Sequence, residues 1–389
     1  MERSMTYFDN GATSFPKPKS VEEAMLRGIR NFGANPGRSG HRLSMETAMQ
    51  VYRCREAAAG FFGAMDPAHV VFTSNCTHSL NLAIKGRLRA GDHVIISDLE
   101  HNSVLRPIHA IAARGQITYS VAEACEDEDE TVKAFERMIK PETRLIACTH
   151  GSNVWGIKLP VGRIGKMARE RGIAFLVDAA QTAGVVDIDV TRDCIDFLCA
   201  SGHKGLYGPP GTGLLITSRG HELATIIEGG TGTMSADFCQ PPDMPERLEC
   251  GTVNTVGIMG LMAGIEYLQC NSIAEIYSHE MRIAKMIYER LRDMDNVTVY
   301  TKRFFEGTHL PVVSFNIDGM PSEDVVAALS ECGFALRGGL HCAVLAHKKM
   351  GTDQTGAVRV SVGAFNTMEQ GKLLLAQIVL LAQAPKRWM

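Results

Sequence analysis

The sequence predicts an α/β protein in which a large domain, built on a mainly parallel sheet covered by helices, precedes a smaller α+β domain. Three observations support this fold class. Short apolar runs alternate with amphipathic segments through the first part of the chain, the pattern typical of parallel sheets with helical crossovers. After one long helical segment the pattern changes to a mixture of strands and helices. The 389 residues, of which 45% are hydrophobic, are enough for two domains and a large core.

The individual elements follow from these patterns in chain order. Six apolar, β-rich runs are predicted to be buried strands of the large domain: residues 69–73, 93–97, 144–148, 173–177, 195–198 and 213–216. Amphipathic segments between them, such as 164–171, are predicted helices. For the small domain we predict helices at 273–294, 323–332 and 368–384, and strands at 297–300, 312–315 and 358–361. We expect an N-terminal arm over residues 1–20, the large domain over 21–260 and the small domain over 261–389.

The bulk properties of the chain argue against several classes of function. The formal net charge of −3 gives no support for binding to nucleic acid or to an anionic membrane. No apolar run reaches membrane-spanning length, and residues 1–4 lack the apolar core of a signal peptide. The eleven cysteines are scattered without CxxC pairs. We therefore expect reduced thiols in a cytoplasmic protein, and no metal site.

An amine and a carboxylate stand where a cofactor could use them. Lys204 lies in the glycine-containing stretch 201–209, and Asp178 ends the apolar run 173–178. An aldehyde cofactor needs an amine to form a Schiff base and a carboxylate to keep its pyridine nitrogen protonated. Gln181 could donate a hydrogen bond to the phenolic oxygen of the same ring. The alternatives are a surface charge for Lys204 and a helix cap for Asp178.

A phosphate site is predicted where the strand 69–73 leads into a helix. Backbone N–H groups at that helix start, together with the Thr77 hydroxyl, could hold a phosphate; an ordinary helix cap is the alternative. Ser201 and His203 supply further donors close to Lys204 in the sequence. The amine, the carboxylate and these donors together indicate pyridoxal 5'-phosphate as the cofactor.

Three further side chains could act on the ring or the substrate. Arg359 lies in an apolar strand, where a buried arginine needs an anionic partner; that partner is either a substrate carboxylate or a structural ion pair. Asn153 could make a second contact with the carboxylate. His101 could stack on the ring or shuttle a proton, with a plain surface histidine as the alternative. Both Asn153 and His101 follow apolar runs, and ligands of such sheets bind beyond the carboxyl ends of strands.

Cys342 lies in a glycine-rich turn, residues 337–343, next to His341. A nearby imidazole or cation would raise the fraction of its thiol that is ionised. Free cysteines are more often small buried hydrophobic residues, but core cysteines seldom occupy such turns. A thiol beside this cofactor can attack a sulfur atom that the cofactor has made electrophilic. The combination predicts chemistry on a sulfur-containing amino acid. A mobile loop would let Cys342 reach the substrate and then present sulfur outward.

The ordered set of motifs resembles the class V aminotransferase family of fold-type I pyridoxal-phosphate enzymes, and within it the cysteine desulfurase and selenocysteine lyase branch. The resemblance rests on residues 7–13, the Cys76-Thr77 turn, and residues 100–102, 152–154, 177–181, 201–204, 251–255 and 337–342. The surroundings of the cysteine are similar to those of the second desulfurase group. That group usually has two histidines before the cysteine; here the first is Leu340, and Asn102 replaces a further histidine.

The resemblance implies a role for each residue of the predicted cofactor site. Lys204 would be the Schiff-base lysine and His101 the histidine that stacks on the ring. Asp178 and Gln181 would hold the pyridine nitrogen and the phenolic oxygen. The remaining implied cofactor contacts are Cys76, Thr77, Ser201, His203 and, across a dimer interface, Thr252.

The resemblance also implies the reaction. Asn153 and Arg359, with Arg337 nearby, would bind the substrate carboxylate, and Cys342 would remove the sulfur and become a persulfide. We therefore expect a homodimeric cysteine desulfurase that converts L-cysteine to L-alanine and passes sulfur to an unidentified acceptor protein. The candidate pathways are iron–sulfur cluster assembly, tRNA thiolation, molybdenum-cofactor maturation and selenium supply. A selenocysteine lyase acting on L-selenocysteine is the nearest alternative. A transaminase, or a sulfur carrier without turnover, is a more distant one. The glycine-rich segment 33–41 is expected to shape the mouth of the site.

Overall fold

The computed structural model describes residues 5–37 and 40–383. Its strands are β1 (Thr6–Tyr7), β2 (Val70–Thr73), β3 (His93–Ser97), β4 (Thr118–Ala122), β5 (Thr143–Thr149), β6 (Ala174–Asp178), β7 (Phe197–Ser201), β8 (Gly213–Ile216), β9 (Val297–Val299), β10 (Val312–Ile317), β11 (Phe334–Ala335) and β12 (Val358–Ser361). Its α-helices are α1 (Lys19–Asn31), α2 (Arg42–Phe61), α3 (Cys76–Arg87), α4 (Asn102–Ala112), α5 (Glu128–Arg137), α6 (Val161–Glu170), α7 (Thr255–Asn271), α8 (Ile273–Arg292), α9 (Ser322–Glu331), α10 (Val344–Met350) and α11 (Met368–Gln383).

A seven-stranded sheet in the order β2-β8-β7-β6-β5-β3-β4 forms the centre of the larger part. Strand β8 runs antiparallel to both of its neighbours, and the other pairs are parallel. The prediction of a mainly parallel sheet is therefore confirmed. Its interior strands are apolar throughout because helices cover both faces. Alternate residues of β6 show this: Phe175 and Val177 join one buried cluster, whereas Leu176 joins the cluster on the opposite face.

Strand β4 was not predicted from the sequence. It lies at the edge of the sheet and pairs only with β3. Its first residues, Thr118 and Tyr119, are exposed and half-buried, respectively, so the strand lacks the continuous apolar run of its neighbours. A polar edge strand of this kind is a common way to limit pairing with other chains.

The smaller part contains the antiparallel sheet β9-β10-β12, packed with α8, α9 and α11. Its own apolar cluster includes Ile283 and Ile287 of α8, Phe315 of β10 and Val360 of β12. Helix α7, in contrast, packs on α1 and α2 and contributes to the cluster of the large sheet. This packing favours a boundary between α7 and α8, and the predicted limits 1–20, 21–260 and 261–389 stay a prediction.

The N-terminal arm connects the two parts. Strand β1 pairs in parallel with β11, and Asp9 forms a bridge with Ser361 at the end of β12. No helix within residues 5–37 and 40–383 combines the length and apolarity needed to cross a membrane. The eleven cysteines are all free thiols. The described residues contain no group of three or more side chains that could ligate a metal. Ala384, the last residue of the predicted helix 368–384, lies outside the described residues.

Candidate active site

A cleft opens beyond the carboxyl ends of β5, β6 and β7, where the α3 and α4 N-termini also point. Nine of the thirteen predicted site residues line this cleft: Cys76, Thr77, His101, Asn153, Asp178, Gln181, Ser201, His203 and Lys204. The sheet brings them together because they end or follow five strands, β2, β3, β5, β6 and β7, at the same edge. The other four, Arg337, Cys342, Arg359 and Thr252, lie outside the lining.

Lys204 occupies the turn that follows β7. Among the described residues its amine has no hydrogen-bond partner, although it lies within electrostatic reach of Asp178. Burial lowers the pKa of Lys204; the negative Asp178 opposes this, and the positive Arg359 adds to it. The main chain of the turn is fixed by the N-terminal arm: the Ser14 hydroxyl donates to the Lys204 carbonyl at 2.8 Å. The site therefore holds an amine that is available for reaction.

Asp178 ends β6 and is only 3% exposed. Its Oδ1 accepts hydrogen bonds from the Ala180 N–H at 2.9 Å and from the Cys76 thiol at 3.4 Å. Its Oδ2 has no hydrogen-bond partner in the part of the chain that the structure describes. A buried carboxylate with one oxygen satisfied and one open to the cleft fits the nitrogen of a protonated pyridine ring.

The start of α3 offers a place for a phosphate. Asn75 caps the helix by accepting from the His78 N–H, whereas the N–H groups of Cys76 and Thr77 have no partner among residues 5–37 and 40–383. Open N–H groups at a helix start attract anions. The Thr77 hydroxyl lies 2.8 Å from that of Ser103. Asn75 thus caps the helix in the ordinary way, and within the described residues this cap leaves the N–H groups of Cys76 and Thr77 open to an anion.

His203 lies beside this region. Its Nδ1 is 3.1 Å from the Thr13 hydroxyl, and its carbonyl accepts hydrogen bonds from Thr13 and from Lys17. Burial, followed by the charges of Lys204 and Lys17, lowers the pKa of His203 to about 4. The imidazole is therefore neutral at pH 7 and can still donate one N–H to a phosphate oxygen. Ser201, the last residue of β7, is 2% exposed.

His101 caps α4 through its ring. Nδ1 accepts from the Ser103 N–H at 3.1 Å and lies 2.9 Å from the Ser103 hydroxyl. The proton of the neutral ring is therefore assigned to Nε2. Burial lowers the pKa of His101, with Asp178 opposing the shift. The ring is thus a fixed wall of the cleft rather than a surface histidine. Ser103, which also meets Thr77, was missed by the sequence analysis; a hydroxyl two residues after a cap is the signal for it.

Gln181 and Arg359 are both held by the N-terminal arm. The Gln181 amide donates to the Gly11 carbonyl at 2.9 Å. Arg359 is 1% exposed, and its Nη2 lies 2.5 Å from Asp9 Oδ1 while its Nη1 donates to the Asn153 carbonyl at 2.9 Å. The buried Arg359 Nε has no partner among the described residues. An internal ion pair, the alternative weighed for this arginine, is therefore present, with Asp9 as a partner that the sequence analysis did not identify.

Cys342 lies beside the cleft, in the turn between β11 and α10, with an exposed side chain. The turn is held on both sides: the Asn102 N–H donates to the Cys342 carbonyl at 2.7 Å, and the Asn153 amide donates to the His341 carbonyl at 2.7 Å. His341 and Cys342 adopt positive φ angles of 48° and 57°, a strained left-handed pair. Two hydrogen bonds thus anchor the backbone of the turn beside the cleft.

The cation nearest to the Cys342 thiol is not the neighbouring imidazole. His341 is buried, its Nε2 donates to the Ala357 carbonyl at 2.9 Å, and burial lowers its pKa to about 3. The half-buried Arg337 instead approaches the Cys342 sulfur, with 4.0 Å between Nη2 and Sγ. The guanidinium therefore acts as a weak hydrogen-bond donor to the sulfur.

Thr252 lies outside the lining of the cleft. It lines a separate cavity with Ser74 and His78, and its hydroxyl accepts a 3.5 Å hydrogen bond from Asn35. Its contribution to a site across a dimer interface stays a prediction. Asn35 belongs to the segment 33–41, of which Arg38 and Ser39 lie outside the described residues.

Comparison with known proteins gives one consistent result. The family model for aminotransferase class-V matches residues 6–374. A probable cysteine desulfurase of Methanothermobacter thermautotrophicus is 34% identical over 96% of this chain and 93% of its own. The apo structure of a cysteine desulfurase from Thermococcus onnurineus is 34% identical, with a TM-score of 0.91 over 97% and 95% of the two chains. The Escherichia coli cysteine desulfurase CsdA is 27% identical, with a TM-score of 0.86 over 97% and 94%. These matches confirm the predicted fold and enzyme class, and the chain therefore belongs to the aminotransferase class-V family, in its cysteine desulfurase branch.

Proposed function

We propose that this protein uses pyridoxal 5'-phosphate to convert L-cysteine to L-alanine and collects the sulfur as a persulfide on Cys342. One observation carries the proposal. Within the described part of the chain, the Lys204 amine has no hydrogen-bond partner and one carboxylate oxygen of Asp178 has no donor; both face one cleft, with the exposed Cys342 thiol at its edge. An ordinary transaminase has no use for that thiol. A sulfur carrier has no use for the amine and carboxylate.

The residues of the cleft fit the cofactor. Lys204 would hold its aldehyde carbon, Asp178 its ring nitrogen, and Gln181 its phenolic oxygen. The open N–H groups at the start of α3 would hold its phosphate, together with Thr77, Ser201 and His203. The bound cofactor supplies an electron sink that loosens the substrate's bonds and makes its sulfur open to attack.

The protein's own groups then divide the remaining work. Arg359 and Asn153 bind the substrate carboxylate, and Asp9 keeps the guanidinium of Arg359 in place. The freed amine of Lys204 moves the α-proton of the substrate as a general base. The Cys342 thiolate forms an S–S bond to the substrate sulfur while the bond from that sulfur to the β-carbon breaks. The electron pair stays with the carbon, which takes up a proton and becomes the methyl group of alanine.

A dimer and an acceptor protein complete the proposal. Because Thr252 lies outside the cleft of its own chain, we propose that it serves the cleft of a second copy. The exposure of Cys342 suits transfer of sulfur to an acceptor protein in the cytoplasm. Mixed dimers of Thr252→Ala and Lys204→Ala chains test the first point. If Lys204 and Thr252 of one site come from different chains, one of the two sites in a mixed dimer has both wild-type residues. If they come from the same chain, neither site has both.

Product analysis with cysteine and selenocysteine tests the reaction. Purified wild type should be yellow, hydroxylamine should bleach it, and it should release alanine from cysteine. Lys204→Ala should lose the protein-bound absorbance. Cys342→Ser should keep the absorbance but lose alanine formation from cysteine, and the exposed Cys332→Ser is the matched control that should behave as wild type.

Three results would count against the proposal. Undiminished alanine release from cysteine by Cys342→Ser would remove the thiol from the mechanism. If that variant also keeps full turnover of selenocysteine, with wild type favouring selenocysteine, the protein is a selenocysteine lyase instead. A colourless protein that gains no absorbance with added pyridoxal 5'-phosphate would end the cofactor assignment.

A further inference from the structure

The hydrogen bond between Cys76 and Asp178 has no part in the mechanism above. Cys76 is the first residue of α3 and is 7% exposed; its sulfur lies 3.4 Å from Oδ1 of Asp178. The same oxygen accepts from the Ala180 N–H, whereas Oδ2 is the oxygen left for a ligand. The side chain of Cys76 therefore meets the carboxylate, and only its backbone N–H is available at the phosphate end of the cleft.

The thiol acts as a donor in this contact. Burial, followed by the negative charge of Asp178, raises the pKa of Cys76 well above its ordinary value, so the proton stays on sulfur. A hydrogen-bond donor on one oxygen favours the charged form of a carboxylate, which leaves the other oxygen, here Oδ2, as an acceptor. A proton shared between Oδ2 and a pyridine nitrogen then stays with the nitrogen, which keeps the ring an electron sink.

We propose that Cys76 is a positioning residue that acts through Asp178: its thiol fixes the carboxylate and keeps the proton on the ring nitrogen of the cofactor. This inference rests on the proposed function, because it requires that Asp178 faces that nitrogen. The direct cofactor contact that the resemblance implies for Cys76 is then made by its backbone N–H alone.

Cys199 provides a matched control. It lies on β7, is fully buried in the same apolar cluster as Cys76, and is also within electrostatic reach of Asp178. Its thiol makes no hydrogen bond to the carboxylate within the described residues. Removing either sulfur creates a similar small cavity, but only the loss of Cys76 removes a donor from Oδ1.

The direct test is ¹⁵N NMR of the holoenzyme loaded with cofactor labelled at the ring nitrogen. Wild type and Cys199→Ala should show the shift of a protonated pyridine, and Cys76→Ala should move toward that of a neutral pyridine. Cys76→Ser, which restores a donor, should return toward wild type. The dissociation constant of pyridoxal 5'-phosphate should rise roughly three- to tenfold in Cys76→Ala, the loss expected for one hydrogen bond. In an Asp178→Asn background, Cys76→Ala should change this dissociation constant little.

Several outcomes would overturn the inference. One is an unchanged nitrogen shift in Cys76→Ala, and another is an equal change in Cys199→Ala. Should Cys76→Ala fail to fold, a serine variant with a neutral nitrogen would refute the role of the donor. The contact itself is tested without cofactor by the infrared S–H stretch of the apoprotein. The Cys76 band, isolated by subtracting Cys76→Ser, should shift to higher frequency in Asp178→Asn, and an unmoved band refutes the contact. If wild type binds no cofactor, the proposed function fails, while this infrared result still reports on the contact.

Discussion

Glu280 should make the stability of this protein fall as pH rises. The residue lies on α8 and is 4% exposed, and it has no hydrogen bond or ion pair among the described residues. Its side chain lines a small cavity behind the active-site cleft, together with Lys204 and Gln181. Burial raises the pKa of Glu280 from 4.5 to about 8. A buried carboxyl without a partner is the arrangement that most disfavours ionisation.

The sign of the effect follows from the two pKa values. Below pH 4.5 the carboxyl is protonated in both the folded and the unfolded states, and the folded state carries no penalty. Between pH 4.5 and about 8 only the unfolded state ionises, so the free energy of unfolding falls by about 1.4 kcal/mol per pH unit. The total loss is at most about 5 kcal/mol, reached above pH 8. Glu280→Gln cannot ionise and escapes this loss.

Urea unfolding of the wild-type and Glu280→Gln apoproteins between pH 5.5 and 8.5 measures the difference. The variant should gain stability relative to wild type as pH rises, by roughly 3 to 4 kcal/mol across that interval. Contributions from other titrating groups cancel in the comparison. Glu289→Gln, an exposed position on the same helix, is the control and should give a constant difference. A constant difference for Glu280→Gln as well would refute the argument that this carboxyl is buried and unpartnered.

Three further results are expected from single substitutions. Asn153→Ala removes the amide that holds the His341 carbonyl, so kcat/KM for cysteine should fall by about tenfold while the cofactor absorbance is retained. An unchanged kcat/KM would show that this contact does not position the turn. Glu249→Gln leaves the buried guanidinium of Arg55 without its charge partner and should lower the free energy of unfolding in urea by about 3 kcal/mol. A loss below about 1 kcal/mol would mean that the ion pair is well solvated. Trp155→Phe removes a buried indole hydrogen bond to α10 and should lower the free energy of unfolding in urea by about 1 kcal/mol. A stability equal to that of wild type would argue against this hydrogen bond.

The parts of the fold that the sequence predicts best are those where burial is strongest. Runs that are apolar on both faces, such as 93–97 and 213–216, coincide with β3 and β8 residue by residue. The edge strand β4 was missed because half-exposed polar residues carry no such run. The two-residue strands β1 and β11 are invisible in the sequence because each exists only through its pairing with the other.

The candidate site divides in a similar way. Residues that follow a strand at one edge of the sheet, such as Asp178 and Lys204, could be predicted to meet, since topology alone brings them together. The partners that fix them could not. Whether Arg359 meets Asp9 depends on the path of the N-terminal arm. Whether His341 points inward depends on a left-handed backbone turn that no local pattern specifies.

The N-terminal arm sets the order in which the pocket can be completed during synthesis. It is the first of the described segments to leave the ribosome, yet Asp9 meets its arginine only after 350 further residues have been made. The same arm contacts Gln181 through the Gly11 carbonyl and Lys204 through the Ser14 hydroxyl. We therefore expect the proposed prosthetic group to be captured only after residue 359 has been made. Ribosome-bound fragments that stop before residue 359 should therefore not retain it.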